Sequence, residues 1–298
     1  MQAHQQRVHR EDALKHLYEN PSPTLQSVAG ALHISIERAA TVLDDLESHG
    51  LMRWHEGGIA LTSAGKEYAL QVIRAHRLWE RYLAERTGYP QDDWHRQADS
   101  AEHRLSPSEL DALAEQLGHP RYDPHGDPIP TSEGRLQPLE GQALSTLSPD
   151  QSAHIVHLED EPAGIYRHLT ASGLHVGQHI RVTGRDAQGI HFQADGRAHT
   201  LTHLQAESVS VQPAENMTQP IRRTLAQISL GEKATIAGIS SACQGPERRR
   251  LLDLGFVPGT EVRVVMQSPG GRDLRAYEVR GTMIALRRNQ AEMLLVNA

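Results

Sequence analysis

Apolar residues recur at helical spacing through the first third of the chain and at alternate positions through much of the rest. From Glu11 to Tyr18, Ala13, Leu14, Leu17 and Tyr18 share one helical face, and Pro21 and Pro23 stop that helix. Leu25 to Leu32 is a second short helix, His33-Ile34 a tight turn, and Ser35 caps a third helix that runs to about His49 with Gly50 past its end. Leu51 to His55 and Ile59 to Thr62 alternate as two strands around Glu56-Gly57-Gly58. Ser63 opens a long helix to about Arg86, broken by Gly88-Tyr89-Pro90. A further helix covers about Asp92 to Leu105, and Ser106-Pro107-Ser108-Glu109 starts another that ends near Gly118. Three helices and a hairpin, followed by three more helices, are thus predicted for the first 118 residues.

The C-terminal half switches to short alternating strands around one brief helix, and it does so twice. Leu144-Ser145-Thr146-Leu147 with Ala153-His154-Ile155 matches Leu225-Ala226-Gln227-Ile228 with Ala234-Thr235-Ile236. Gly173-Leu174-His175-Val176-Gly177 matches Gly255-Phe256-Val257-Pro258-Gly259, and Ala206-Glu207 through Val211 matches Ala291-Glu292 through Val296. The offset drifts from 81 to 85, as loop insertions between two copies of one domain require. The fold class is therefore α+β and multidomain. It comprises a winged helix-turn-helix at 1–66, an all-α domain at 67–135, and two small β-barrels at 136–212 and 221–298, with Pro213 to Pro220 as linker.

Helix-turn-helix spacing followed by a hairpin points to double-stranded DNA, although the same unit also docks proteins. In the DNA reading Ser35, Glu37, Arg38 and Thr41 at the start of the third helix enter the major groove, with Arg53 and His55 near the backbone. Such readers are two-fold symmetric, and the three apolar helices that follow suit a homodimer. The net charge of −7 argues against a protein that coats nucleic acid by charge alone, although residues 219–298 hold 12 Lys/Arg against 7 Asp/Glu. One cysteine, Cys243, leaves no internal disulfide or thiolate cluster. The polar start and the lack of any apolar stretch of roughly 20 residues point to a cytoplasmic chain without a membrane partner.

Candidate chemistry lies in the helices behind the hairpin. His76 and Glu80 stand four apart, His95 follows, and Asp99, Glu102 and His103 share one face of the next helix. Either pair alone reads as solvated helix surface. Together, two helices that each offer carboxylate and imidazole read as a metal site, because like charges on one face repel unless a cation lies between them. A metal-assisted hydrolase could use the same side chains, but the chain has no HExxH, no nucleophile motif and no phosphate-binding glycine loop.

Several of these stretches resemble the diphtheria-toxin-repressor (DtxR) family of metal-dependent transcription regulators over residues 11–211. They are Glu11-Asp12, Leu61-Thr62-Ser63-Ala64-Gly65, Ala75-His76-Arg77-Leu78, Asp99 through Ser106, and His119-Pro120-Arg121-Tyr122-Asp123-Pro124-His125-Gly126-Asp127-Pro128-Ile129-Pro130. The resemblance implies one site of Asp12, His76, Asp99, Glu102 and His103. It implies a second of Glu80, His95, Asp123 and His125, completed by Asp160 or Glu161. The iron-sensing branch typically has a thioether at the Asp12 position and a thiol at the Asp99 position, so the carboxylates here favour Mn(II) over Fe(II). Lys15 stands where manganese-sensing relatives often have glutamate, and it either pairs with a site carboxylate or points into solvent.

Residues 252–262 and 278–287 resemble FeoA, a Src-homology-3-like domain linked to ferrous-iron transport, which points toward iron. The second copy is either a packing domain or a docking surface for a protein partner or DNA through Arg248, Arg249, Arg250, Arg287 and Arg288. The function expected is a metal-dependent repressor binding a palindromic operator as a dimer. The alternative is an accessory or docking protein of ferrous-iron transport.

Overall fold

The protein is described here from a computed structural model, which covers residues 2–297 except 56–57, 88, 140, 195–196, 215–222, 241–242 and 269–272, and omits the side chains of residues 2, 3 and 92. The Glu56-Gly57 part of the hairpin turn, Gly88 and most of the linker from Pro213 to Pro220 therefore lie outside the described residues. Two compact units are formed, 1–82 with 90–139, and 83–89 with 140–298.

In the first unit, α1 (Gln2–Glu19), α2 (Leu25–Ala31) and α3 (Ile36–Ser48) precede the hairpin β1 (Met52–His55) and β2 (Gly58–Leu61). The first helix begins nine residues before Glu11, because the polar stretch ahead of it needs no buried face to continue a helix already nucleated behind it. The helix-turn-helix turn follows its caps: Thr24 and Ser35 each accept a hydrogen bond from the backbone at the start of the helix they precede. Ala13, Leu14 and Leu17 of α1 pack with Val28, Ala39, Leu43, Leu46, Met52 and Ile59 in one core. Full burial of each leucine is worth roughly 1.5–3 kcal/mol, so α1 is fastened to α3. The salt bridge Arg10–Asp45 at 2.8 Å adds a polar tie between them.

Helix α4 (Ser63–Arg86) leaves the hairpin at Gly65, where a Cβ would stand 1.8 Å from the Leu51 carbonyl oxygen, so only glycine fits. Then come α5 (Trp94–Glu102), entered through a 3₁₀ turn at Gln91–Asp93, and α6 (Pro107–Gln116), opened by a Ser106/Glu109 capping box. Ala75 and Leu78 of α4 pack against Leu110, Leu113 and Ala114 of α6 in a second core.

The second unit contains two sheets of one design. The first has β3 (Gln142–Ala143), β4 (Ser152–Leu158), α7 (Ala163–Ala171), β5 (His179–Asp186), β6 (Gly189–Ala194), β7 (Arg197–Leu201), α8 (His203–Glu207) and β8 (Val209–Pro213). The second has β9 (Arg223–Thr224), β10 (Lys233–Ile239), α9 (Gly245–Asp253), β11 (Glu261–Gln267), β12 (Leu274–Val279), β13 (Thr282–Arg287), α10 (Arg288–Glu292) and β14 (Leu294–Asn297). The antiparallel orders β3-β8-β4-β5-β6-β7 and β9-β14-β10-β11-β12-β13 correspond strand for strand. The bulges correspond too, at Ile155/His157 against Ile236/Gly238 and at Val182/Gly184 against Val264/Met266. A bulge bends its strand and re-aims the side chains beyond it, so its retention at equivalent positions marks one folded unit used twice. Each sheet closes over its own apolar core, around Phe192 in the first and Phe256 in the second. Both sheets agree with the small Src-homology-3-like domains expected; among the described residues no ladder joins β7 to β3 or β13 to β9, so the strands curl over the core without a closed ring of hydrogen bonds. The edge strands β3 and β9 have two residues each, which gives them too few ladder groups to close a barrel.

Candidate metal centre

Helices α1, α4 and α5 bring their acids and histidines together inside the first unit. Four overlapping groups have ligand atoms within 4.8 Å of one another: Asp12/Glu102/His103, His76/Asp99/Glu102, His76/Glu80/His95 and Glu80/Asp123/His125. All five residues of the first implied site and four of the second are thereby gathered, with Glu102, His76 and Glu80 shared between groups. Asp160 and Glu161 follow β4 in the second unit, and the four groups form without them.

Helical spacing explains the convergence. His76 and Glu80 are one turn apart on α4, with His76 Nε2 3.1 Å from Glu80 Oε1, and both are buried. From α5, Glu102 Oε2 lies 2.5 Å from His76 Nδ1, and His95 Nδ1 lies 3.2 Å from His76 Nε2. His103, the cap of α5, turns Nε2 toward Asp12 Oδ1 at 3.1 Å and Glu102 Oε1 at 3.6 Å. Glu102 and Glu80 are the buried hubs, whereas Asp99 and His95 sit at the rim with side chains 49% and 35% exposed.

Three residues around His103 escaped the sequence reading: Glu11 as its partner, with Tyr68 and Arg7 behind it. Glu11 is buried, accepts from His103 Nδ1 at 2.7 Å, and is itself held by Tyr68 Oη at 2.6 Å and Arg7 Nε at 2.8 Å. These hydrogen bonds outweigh burial and hold the Glu11 carboxyl below its ordinary range. The signal was present in the sequence: Glu11 adjoins Asp12 and stands four residues before Lys15, but nothing local marks it as inward-facing. Lys15 itself pairs inward, 3.2 Å from His76 Nδ1, 3.5 Å from Asp99 Oδ1 and 3.6 Å from Glu102 Oε2.

Charge is high on both sides of the cluster. Burial would lower the His103 imidazole, but hydrogen bonds with Asp12 and Glu11 and the charge of Glu102 push it up to about 9. Burial and the Lys15 ammonium lower His76, yet Glu80 and Glu102 outweigh them, again to about 9. Glu80 is driven well below the usual carboxylate range, because His76 and His125 overcome its burial.

The loop 119–130 is fastened differently. Asp123 Oδ1 accepts backbone N–H bonds from His125, Gly126 and Asp127 at 2.8–2.9 Å, and Arg77 Nη1 donates to Pro128 O at 2.7 Å. Asp123 therefore acts first as a loop cap, and any ligand role falls to its other oxygen. Burial and the charge of Asp127 push its carboxyl up to about 7.

The donor set suits a divalent cation. It is carboxylate and imidazole without thiolate, the chemistry of manganese or ferrous ion. Two buried oxygens of the cluster, Glu80 Oε1 and Glu102 Oε1, face imidazoles at 3.1 and 3.6 Å but accept no well-aligned hydrogen bond, and a cation would offset a cost of up to roughly 1–3 kcal/mol at each.

The residues expected to meet DNA are exposed. Ser35 caps α3 by accepting from Arg38 N, Glu37 and Arg38 are open to solvent, and Thr41 Oγ1 donates to Glu37 O at 3.0 Å. Arg53 and His55 are exposed on β1, and two apolar residues passed over in the sequence, Ile36 and Trp54, are about half exposed beside them in α3 and β1. In the second sheet Arg249, Arg250, Arg287 and Arg288 are exposed, and Arg249 and Arg288 pair with Asp253 and Glu292. Arg248 departs from the expected docking row, because its guanidinium turns to the carbonyls of Ile239, Ser240 and Cys243.

Comparison with known proteins bears on these features. Residues 62–131 match the family model described as iron dependent repressor, metal binding and dimerisation domain, and residues 223–298 match the FeoA domain. The iron-dependent repressor IdeR of Mycobacterium tuberculosis H37Rv is 30% identical over 148 residues, covering 49% of this chain and 61% of that protein. A probable metal transport system membrane protein of Chlamydia trachomatis is 40% identical over 82 residues, of which the chain spans 18% of the length. Among solved structures, a manganese-dependent transcriptional repressor in complex with manganese aligns at a TM-score of 0.63 and 26% identity, over 68% of this chain and 99% of that one. The hydrolase alternative gains nothing from these relatives. Among the described residues no helix is long and apolar enough to cross a membrane. The chain thus carries a metal binding and dimerisation domain of iron-dependent-repressor type at 62–131 and a FeoA domain at 223–298, and over its first two thirds it is similar to the iron- and manganese-dependent repressors.

Proposed function

We propose that this protein is a metal-dependent transcriptional repressor that binds a palindromic operator as a homodimer when loaded with Mn(II) or Fe(II). The observation that carries this reading is the position of α1. One face of that helix lies in the core with α3, and the other presents Glu11, Asp12 and Lys15 to Glu102, His103 and His76. The ligands proposed for one site are Asp12, His76, Asp99, Glu102 and His103. Those for a second are Glu80, His95, Asp123 and His125. A bound ion would supply positive charge shared between α1 and α5.

The chain's own residues then do the rest. Glu11 holds the His103 ring by Nδ1 so that Nε2 faces Asp12 and Glu102. Because α1 is packed into the head, it does not need metal to become a helix; what metal would set is the angle of the whole head. Two heads so fixed on a dimer would offer Ser35, Glu37, Arg38 and Thr41 to successive major grooves, with Arg53 and His55 at the backbone. The domains would be 1–66 for reading, 67–135 for metal and dimer contacts, and 136–212 and 221–298 for the two sheets. The exposed arginines of the last would meet a protein partner. Retardation of palindromic promoter fragments by the full chain, with and without Mn2+ or Fe2+, tests the proposal. Retardation that is equal with and without metal would sink it, as would no retardation by either.

A further inference from the structure

The central pocket of the cluster already contains a positive group. The Lys15 ammonium lies 3.2 Å from His76 Nδ1, 3.5 Å from Asp99 Oδ1 and 3.6 Å from Glu102 Oε2, and these three residues form one of the four ligand groups. The Lys15 side chain is only 18% exposed, so it reaches inward from α1 and does not lie on the surface. The shared residues turn their second donor atoms outward to the flanks. Glu102 Oε1 faces His103 beside Asp12, and His76 Nε2 faces Glu80 and His95. Glu102 Oε1 and Glu80 Oε1, the two oxygens of the cluster without a well-aligned hydrogen bond, face those flanks.

We propose that Lys15 is a built-in cation that fills the His76/Asp99/Glu102 pocket and divides the cluster into two separate metal sites, Asp12/Glu102/His103 and His76/Glu80/His95. The inference rests on the reading of the cluster as metal-binding and revises the ligand sets given above: His76 passes to the Glu80 side, which Asp123 and His125 extend, and Asp99 stays as a partner of Lys15. A divalent ion in the central pocket would need the same three atoms at about 2.0–2.6 Å, where it would meet the ammonium at close range. Lysine therefore sets the ion count. It also ties α1 to α4 and α5 before any metal arrives, by neutralising carboxylates that would otherwise repel one another.

The test uses the full chain and Mn2+ as probe, with uptake measured by equilibrium dialysis and metal analysis, and with the melting midpoint of the metal-free protein as second readout. Lys15→Glu and Lys15→Met are each expected to take up about one more Mn2+ per protomer than the wild type and to melt several degrees lower without metal. Lys15→Arg keeps the charge and should keep the wild-type count. Equal, non-zero uptake by the wild type and both neutral or acidic variants overturns this inference alone. No uptake by any form overturns the metal reading beneath it. Should Lys15→Glu fail to fold without metal, the Mn2+ count of Lys15→Met decides: a gain supports the inference and no gain refutes it.

Discussion

The two ends of the cluster hold similar ligands but join different parts of the protein. At the Glu102 end, Asp12, Glu11 and Lys15 come from α1, which shares its core with the reading helix, and meet His103 from the end of α5. At the Glu80 end, His76, His95, Asp123 and His125 come from α4, α5 and the loop after α6, and no ligand group there takes a residue from α1. An ion at the first end would bear on the angle of α3, whereas an ion at the second would brace the helices among themselves. Coupling between metal and DNA thus depends on which element carries the ligand more than on the ligand's chemistry.

The sharpest way to break this comparison is Glu80→Ala. Glu80 is buried among His76, His95 and His125, and removing it leaves buried imidazoles without their counter-charge. The metal-free protein is expected to lose about 3–5 kcal/mol in urea denaturation, as when one partner of a buried pair is deleted. Its DNA response to metal, measured where the variant is still folded, should survive. His103→Ala should do the reverse. Metal-stimulated operator affinity is expected to fall by about 5–150-fold while a folded dimer persists in gel filtration. Equal loss of DNA response in both variants would remove the distinction between the ends.

The head and the helices were legible because caps and breakers mark them: Ser35 and Gly50 bound the reading helix, and Ser63 opens α4 where the sequence places it. The repeat was legible as well, because the two sheets reuse the same strand order and bulges. At the site, Glu80, Glu102 and His103 could be found by helical spacing. Glu11 could not, and of the two courses left open for Lys15 only the docking of α1 against α5, across more than eighty residues of chain, selects the inward one. Asp123 reads as a ligand in the sequence but is committed through Oδ1 to three backbone N–H groups of its own loop.

Smaller effects refine the comparison. Glu11→Gln keeps the shape but weakens the acceptor that orients His103, so Mn2+ affinity at the Glu102 end should drop by about 10–100-fold, the usual effect of losing an outer partner. The Glu80 end should be unchanged, and two-step calorimetric titrations would separate them.

The smallest effect expected is the pH dependence, and it should be shared by both ends. His103 and His76 are each pushed up to about 9, so at neutral pH the metal-free protein carries a proton on each that a metal ion must displace. Mn2+ affinity should therefore rise with pH up to about 9, by at most about tenfold per unit for each proton displaced. The same protons act oppositely on the metal-free fold. A histidine raised above its unfolded value contributes stability that is fully present below about 6.5 and is lost as pH climbs through about 9. The melting shift produced by Mn2+ should accordingly widen between pH 6.5 and 8.5, with proton release visible as a buffer-dependent heat in calorimetry. If only one end releases a proton, the imidazole at the other binds metal already neutral, and the charge balance drawn here holds at one end only.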